Sequence, residues 1–334
     1  MNIREFAESI GVSKSTVSLA IGGNGRISEN KRKYVLDKMM ELGFVPNSSA
    51  RALATGKSNI IALVAEDPSM SYVRRFYSAL EHELEKHGVA LSAVSCRTEK
   101  AISRLENVPF DALVFMDYQS LLARSEFSIL FNRAISDRCC CNIGSVPANE
   151  MDSVTVDYYS GGKRVLSAIR KTGAEKIIMA CTNTMLKEAE SRVRAYQDFV
   201  ESEKLHPDFV SLGSNLETDE WFAQVRKSMD LYVRESGWPD AIYCSNDMIA
   251  ITIMGFVQEN GRVPGQDVLI SGFDNMHEAA IVYPGISSVG TDYKALAAIA
   301  WGMITDRLKN KSLRPREVVL SPTVHLRSST GPAV

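Results

Sequence analysis

From residue 60 onward the sequence alternates short apolar runs with amphipathic helical stretches: IIALVA, then RRFYSALEHELEKHG, then ALSAV, with ALVFM, KIIMA, AIYC and VLISGF following in the same manner. Unbroken apolar runs of this length belong to strands buried on both faces, and strands that alternate with helices pair in parallel. An all-helical or all-β chain is thereby excluded. Roughly 270 residues of this pattern exceed one doubly wound sheet of ordinary size, so two parallel-sheet sub-domains are expected. Ligands of such folds bind beyond the C-terminal strand ends, here between the two lobes.

The composition of the 334 residues, 45% hydrophobic and 23% charged, is that of an ordinary globular chain. No apolar run approaches the ~20 residues that cross a bilayer, and the start MNIREFAESIG has no apolar signal core. Neither membrane insertion nor secretion is expected, and the cytoplasm is the expected compartment. Six cysteines are too few for a disulfide scaffold at this length; in DRCCCNIG, Cys139, Cys140 and Cys141 are expected to alternate across a buried strand. Enzyme signatures are missing: there is no G-x-S-x-G elbow, no P-loop and no C-x-x-C pair. The five histidines are scattered, and His82 and His87, five apart on a helix, are poorly spaced to share a metal. Catalysis, a cofactor and a metal are all unexpected.

The net charge of −2 hides an asymmetry: residues 1–57 hold 9 Lys/Arg against 5 Asp/Glu, while the remainder is acidic. A basic head on an acidic body is the outline of a polyanion-binding appendage, although solvated faces also carry such an excess. In that head Ile3, Phe6, Ala7 and Ile10 mark a short amphipathic helix interrupted by Gly11. Ser13 is an N-cap for a second helix over KSTVSLAI, whose Thr16, Val17, Ala20 and Ile21 share a face and whose Lys14, Ser15 and Ser18 face outward. After GGNGR, Ser28 can cap a third helix with Val35, Met39 and Leu42 at i, i+4, i+7, stopped by Gly43. Two short helices around a tight glycine turn, braced by a third, form a helix-turn-helix, whose second helix enters the DNA major groove. Lys14 and Ser15 are then base-reading candidates, with Ser13, Thr16 and Ser18 placed for phosphate contact or capping. Arg26, Lys31, Arg32 and Lys33 are candidates for backbone contact. The competing reading is a three-helix packing module with a solvated basic face. The segment PNSSARALATGKSN that follows is too short for a stable isolated helix. Leu53 in it is either an incidental linker residue or a wedge for the minor groove.

Taken together, REFAESIGVSKSTVSLAI, GRISENKRKYVLDKMMELGFVPN and ARALATGKSNIIALV closely resemble the start of the LacI/GalR family of bacterial transcription regulators. VTVDYYSGGKRV, SRVRAYQDF, PDAIYCSNDMIAI, VLISGFDN and VHLRSSTGP continue the resemblance in family order over nearly the whole chain. It implies a DNA-binding headpiece over 1–45, a hinge helix and linker over 46–58, and a two-lobed effector-binding and dimerisation body of periplasmic-binding-protein type over 59–330. It places Lys14 and Ser15 at the two chief base-specifying positions and Leu53 at the leucine that intercalates at the operator centre, with Asn47 and Ala50 in the same hinge. Leu19 stands where many members carry a base-reading arginine and offers apolar contact alone, for instance to a thymine methyl.

For the effector the candidates are Asp67 and Tyr72 in EDPSMSY, Asp117 after ALVFM, Arg192 in RVRAY, Asn246 in SND and Asp274 in GFD. An arginine, an asparagine and aspartates converging on an aromatic face suit a polyhydroxylated ligand, so a sugar or sugar derivative is favoured over a purine. Asn246, Asp247 and Asp274 are also positioned to cap helices. Ala195 and Tyr196 replace the family's Gly and Phe, and Tyr72 replaces a phenylalanine. The function implied is a homodimeric repressor on a pseudo-palindromic double-stranded DNA operator, controlled allosterically by a small molecule. The alternatives are a solute-binding protein without a transcriptional role, which has no use for the headpiece, and an enzyme, for which no nucleophile or metal set is visible.

Overall fold

The structure, a computed structural model, describes residues 1–22, 27–44, 57–98, 108–118, 139–183, 190–213 and 218–331, together with positions 100, 105 and 121. Of the DNA-contact candidates, Arg26, Asn47, Ala50 and Leu53 lie outside the described residues.

The head holds three helices, α1 (Ile3–Ser9), α2 (Lys14–Gly22) and α3 (Glu29–Glu41). Asn2 and Glu5 form a reciprocal capping box at the start of α1. Gly11, at φ 68°, turns the chain into α2. Ser13 caps α2, its hydroxyl accepting from the Thr16 amide at 3.1 Å. Phe6, Ala7, Ile10, Val17, Ala20, Val35 and Phe44 form one buried core. Two expectations fail here. Ser28 occupies the N-cap position of α3, but its side chain makes no cap bond; its carbonyl accepts the amides of Lys31 and Arg32 instead. Leu42 is 47% exposed, because Phe44 takes the inward place beyond the Gly43 turn and stacks on Phe6 with ring centres 4.2 Å apart. Such a pair adds about 0.5–1.5 kcal/mol beyond its buried area.

The body contains two six-stranded sheets. The strands are β1 (Ile60–Ala65), β2 (Ala90–Ser95), β3 (Ala112–Met116), β4 (Cys139–Gly144), β5 (Asp152–Val156), β6 (Ile177–Cys181), β7 (Phe209–Ser211), β8 (Ala241–Cys244), β9 (Leu269–Asp274), β10 (Ser287–Gly290), β11 (Glu317–Leu320) and β12 (Thr323–His325). The first sheet runs β11-β5-β4-β3-β1-β2 and the second β12-β10-β9-β8-β6-β7. Among the described residues every strand pairing is parallel except β10 with β12. Cys139 and Cys141 face one core and Cys140 the other, as expected of adjacent residues on a buried strand.

Helices α4 (Ser71–Glu85) and α10 (Tyr293–Lys309) cover one face of the first sheet. In the second lobe α5 (Tyr158–Lys171) and α6 (Ser191–Ser202) cover one face of the sheet, and α7 (Asp219–Ser236) and α8 (Asp247–Glu259) the other. A short α9 (His277–Ile281) follows β9. The chain passes between lobes three times: from β5 into α5, from β10 into α10, and from β11 into β12. Tyr158 and Thr291, on the first two crossovers, are joined by a 3.0 Å hydroxyl–hydroxyl hydrogen bond. These crossings set the C-terminal strand ends of both sheets against each other.

Candidate functional site

Asp117 leaves β3 in the left-handed region, at φ 54°, and its amide donates to the Ile143 carbonyl at 2.8 Å. Its carboxylate is thereby turned over the sheet end. Gly144 on neighbouring β4 makes room, since a Cβ there would lie 2.5 Å from Asp117 Oδ1. The Tyr72 hydroxyl, from the first turn of α4, donates to Asp117 Oδ2 at 3.5 Å, a bond long enough for a ligand to replace. Burial pushes the Asp117 carboxyl up to about 6, against the pull of Arg192 and with Glu190 adding to the rise.

Arg192 comes from the other lobe. Glu190 precedes α6 and caps it: one carboxylate oxygen accepts both the Arg192 amide at 2.8 Å and its Nε at 3.0 Å. Nη1 donates to the Ser245 carbonyl beyond β8 at 2.9 Å. The guanidinium lies 5.1 Å from the centre of the Tyr158 ring and 5.6 Å from that of Phe273. Burial opposes its charge, but Glu190, Asp274 and Tyr158 hold its pKa above the ordinary value. An arginine fixed along one edge and stacked on two rings is a rigid, oriented donor.

Asp274 and Asn275 end β9 in consecutive left-handed conformations, at φ 91° and 47°. Asn246 takes the capping role: its Oδ1 accepts the Ile249 amide at 2.8 Å, which leaves its side-chain amide nitrogen as the group available to a ligand. Asp247, weighed from the sequence only as a cap, is fully buried and accepts the Met276 amide at 2.7 Å and the Ser288 hydroxyl at 2.6 Å. Burial, with the neighbouring Asp274 adding, pushes its carboxyl up to about 8. The charges of Asp117, Asp274, Arg192 and Glu66 all act on Tyr72, whose hydroxyl is held well above its usual value, chiefly by burial. One cluster therefore joins Tyr72 and Asp117 of the first lobe to Arg192 and Asp274 of the second.

Asp67 stands apart from it. Its carboxylate accepts the amide and hydroxyl of Ser69 at 2.9 and 2.7 Å and pairs with Arg97. Glu66, one residue earlier, is the acid whose charge reaches Tyr72. Sequence reasoning also passed over Tyr158 and Glu190. Tyr158 follows β5 at a strand end within VTVDYYSGG and is open to the rule that singles out Asp117; Glu190 precedes an amphipathic helix, where an acid serves as a cap.

The replacements at 195 and 196 fit the local packing. Gly162 lies opposite, where a Cβ would stand 3.1 Å from the Ala195 methyl and 2.2 Å from the Tyr243 hydroxyl. The Tyr196 hydroxyl has one proton to share between the carbonyls of Ile177 and Asp208, 2.8 and 3.0 Å away, and accepts the Asp208 amide at 2.9 Å. Burying a tyrosine in place of phenylalanine is thus compensated, and Tyr196 points into the lobe core.

On the head, Val17 and Ala20 face the core, which leaves Lys14, Ser15 and Ser18 exposed and Thr16 and Leu19 half-buried. The Ser13 hydroxyl contacts those of Ser15 and Thr16 at 2.8 Å each. Tyr34 donates to the Ile10 carbonyl at 3.1 Å and so braces the turn from α3.

Residues 2–47 match the family model for bacterial regulatory proteins, lacI family, and residues 166–330 match that for a periplasmic binding protein-like domain. The chain belongs to the lacI family of bacterial regulatory proteins. Curated relatives are similar end to end. The HTH-type transcriptional regulator DegA of Bacillus subtilis is 25% identical, covering 99% of this chain and 98% of its own. Catabolite control protein A of Priestia megaterium is 24% identical, covering 99% of both. Among solved structures, the lac repressor dimer bound to operator and the anti-inducer ONPF superposes with a TM-score of 0.79 at 17% identity, over 99% of each chain. The transcriptional regulator CelR in complex with cellobiose gives 0.68 at 18% identity, over 98% of this chain and 99% of that one. This lacI-family chain shares their fold, a helix-turn-helix head on a two-sheet body. No helix among its described residues is long and apolar enough to cross a membrane.

Proposed function

We propose that this lacI-family regulator is a homodimeric repressor that binds a pseudo-palindromic operator and is switched by a sugar-like effector at the junction of its lobes. Residues 1–45 act as the DNA-reading head, residues 46–58 as the hinge that joins it to the body, and residues 59–330 as the effector-binding and dimerisation unit. Lys14 and Ser15 read base edges, with Ser18 and Leu19 beside them, Ser13 and Thr16 hold the helix end, and Arg26 contacts phosphate. Asn47, Ala50 and Leu53 enter the minor groove. The effector is bound by Arg192, Asp117, Asp274, Asn246 and Tyr72, with the Tyr158 ring as a further wall.

The observation that carries this reading is the cluster itself: an immobilised arginine, two aspartates from opposite lobes and aromatic rings, on the same chain as the head. Arginine donates and carboxylates accept, which is what a ring of vicinal hydroxyls demands. Contacts to both lobes make occupancy and lobe closure one equilibrium, and linkage passes the same free energy to DNA binding. The complexes formed by relatives, lac repressor with operator and CelR with cellobiose, are of the same two kinds.

The test is selection of genomic fragments by the full-length chain, with residues 58–334 as control, repeated with a panel of mono- and disaccharides and with purines. A shared palindrome recovered by the full chain alone, with affinity changed by a sugar, is expected. Failure to select DNA under every ligand condition would move the protein to the solute-binding reading.

A further inference from the structure

The contact that joins the lobes beside the cluster belongs to a residue outside it. Arg75 lies on α4, three residues after Tyr72 and therefore on the same helix face. Its Nη1 donates to the backbone carbonyls of Asp274 and Asn275 across the gap between lobes, the latter at 3.0 Å. Its guanidinium also lies over the Tyr293 ring, 4.8 Å from the centre, at the start of α10. Both acceptor residues are non-glycine and left-handed, a conformation that must be held by its surroundings.

Within the second lobe three bonds hold that turn. The Asn275 amide donates to the Ser288 hydroxyl at 3.0 Å, the Met276 amide to Asp247 at 2.7 Å, and Arg327 donates to the Asn275 side-chain carbonyl. These engage the amides of Asn275 and Met276 and the Asn275 side chain, while the Asp274 and Asn275 carbonyls are met by Arg75. Arg75 adds the first lobe to the turn. The same backbone unit thus presents the Asp274 carboxylate to the cluster and its carbonyl to Arg75, while α4 presents Tyr72 to the cluster and Arg75 to the turn.

We infer that Arg75 is the closure latch of the effector site, a positioning residue that holds the lobes together on the 274–275 turn and so sets how long a bound effector is retained. A guanidinium is well suited to such a latch, because it carries two hydrogens on one nitrogen for two carbonyls, and a flat face for Tyr293. The consequence for the effector rests on the proposed function; the closure itself does not.

The full-length protein serves for the test, as wild type, Arg75→Lys and Arg75→Ala. Small-angle scattering of the ligand-free protein and hydrogen exchange in the peptide spanning 269–281 are measured first. Arg75→Ala is expected to enlarge the radius of gyration and to speed exchange in that peptide about tenfold, with thermal melting of each lobe unchanged. Arg75→Lys, which keeps the charge and donors but not the flat face, is expected to fall between. Identical scattering and exchange in wild type and Arg75→Ala would overturn the latch. Glucose, ribose, lactose and cellobiose are then used as probes, and for any that binds wild type, Arg75→Ala is expected to dissociate at least about tenfold faster. An unchanged dissociation rate overturns the link to retention. A latch that opens on mutation while no sugar binds any variant supports the closure role and counts against the sugar reading alone.

Discussion

Asp247→Asn should make the stability of the second lobe less dependent on pH, and the sign can be worked from the structure. The carboxyl is fully buried beside Asp274, and its folded-state pKa is pushed from the ordinary 3.8 up to about 8. In the unfolded chain it ionises near 3.8, so between these values the folded state binds the extra proton. Its contribution to stability is therefore fully present below pH 3.8 and is lost as pH rises through about 8. Roughly four units at about 1.4 kcal/mol each make about 6 kcal/mol, a ceiling, because loosening of the 274–276 turn would admit water to the carboxylate. Asparagine fits the same place. Its oxygen can accept the Met276 amide, and its nitrogen can donate to Ser288, whose hydroxyl is free to reverse its role. Urea unfolding of both proteins at pH 5, 6, 7 and 8, followed by tryptophan fluorescence, reads the effect, since Trp221 and Trp238 both lie in the second lobe. The wild type should lose stability relative to the variant by about 1–1.4 kcal/mol per unit across this range. Parallel pH dependences would show that Asp247 is not protonated in the native lobe and would refute the reasoning.

Three further outcomes are expected. Asp152, 1% exposed, accepts from Arg307 Nε and Nη2 and from Arg316 at its amide, Nε and Nη2, tying β5 to α10 and to the approach to β11; Asp152→Ala strands Arg307 and should cost about 3–5 kcal/mol in chemical denaturation. With Asp117 titrating at about 6 in the free protein, affinity for a sugar effector should fall as pH drops through that value, because the protonated carboxyl loses acceptor capacity; calorimetry on Asp117→Asn should find weaker binding with no such inflection. Lys14→Ala should leave the headpiece melt unchanged, since Lys14 is exposed and outside the core, yet weaken operator binding by about 1–3 kcal/mol and relax preference at one base position; a loss equal across all sequences would reassign Lys14 to phosphate contact.

The strands most legible in the sequence were those buried on both faces. IIALVA, ALVFM and AIYC coincide with β1, β3 and β8 because a doubly covered strand has no polar alternation to blur it. β11 and β12 are short and partly exposed, and β11 joins a strand, β5, more than a hundred residues earlier in the chain, so EVVL and TVH carry no comparable signal. In the head, spacing found α1 to α3 but put Leu42 inside; helical periodicity cannot foresee that the chain turns at Gly43 and returns Phe44 to stack on Phe6. At the junction, Tyr72, Asp117, Arg192 and Asp274 were found by standing just past strands or at family positions. Arg75 and Glu190 were not, because each is defined by what it meets: Arg75 by a carbonyl pair on the other lobe, Glu190 by the guanidinium it holds.

The three crossovers also govern how the protein must be made. The first sheet has five of its strands in place once the ribosome has passed residue 156, but its edge strand begins at Glu317 and the helix that covers it at Tyr293. At about 5–20 residues per second, β5 waits roughly ten to thirty seconds with its pairing edge open. That edge is a row of unsatisfied amides and carbonyls during the interval. The second lobe, whose strands β6 to β10 are synthesised without interruption, can collapse meanwhile. The likeness of the lobes thus conceals an order of assembly: both sheets receive an edge strand from the last stretch of chain, β11 for the first and β12 for the second, but only the first must also wait, until the strands β6 to β10 of its partner lobe have been made, for the helix α10 that covers it.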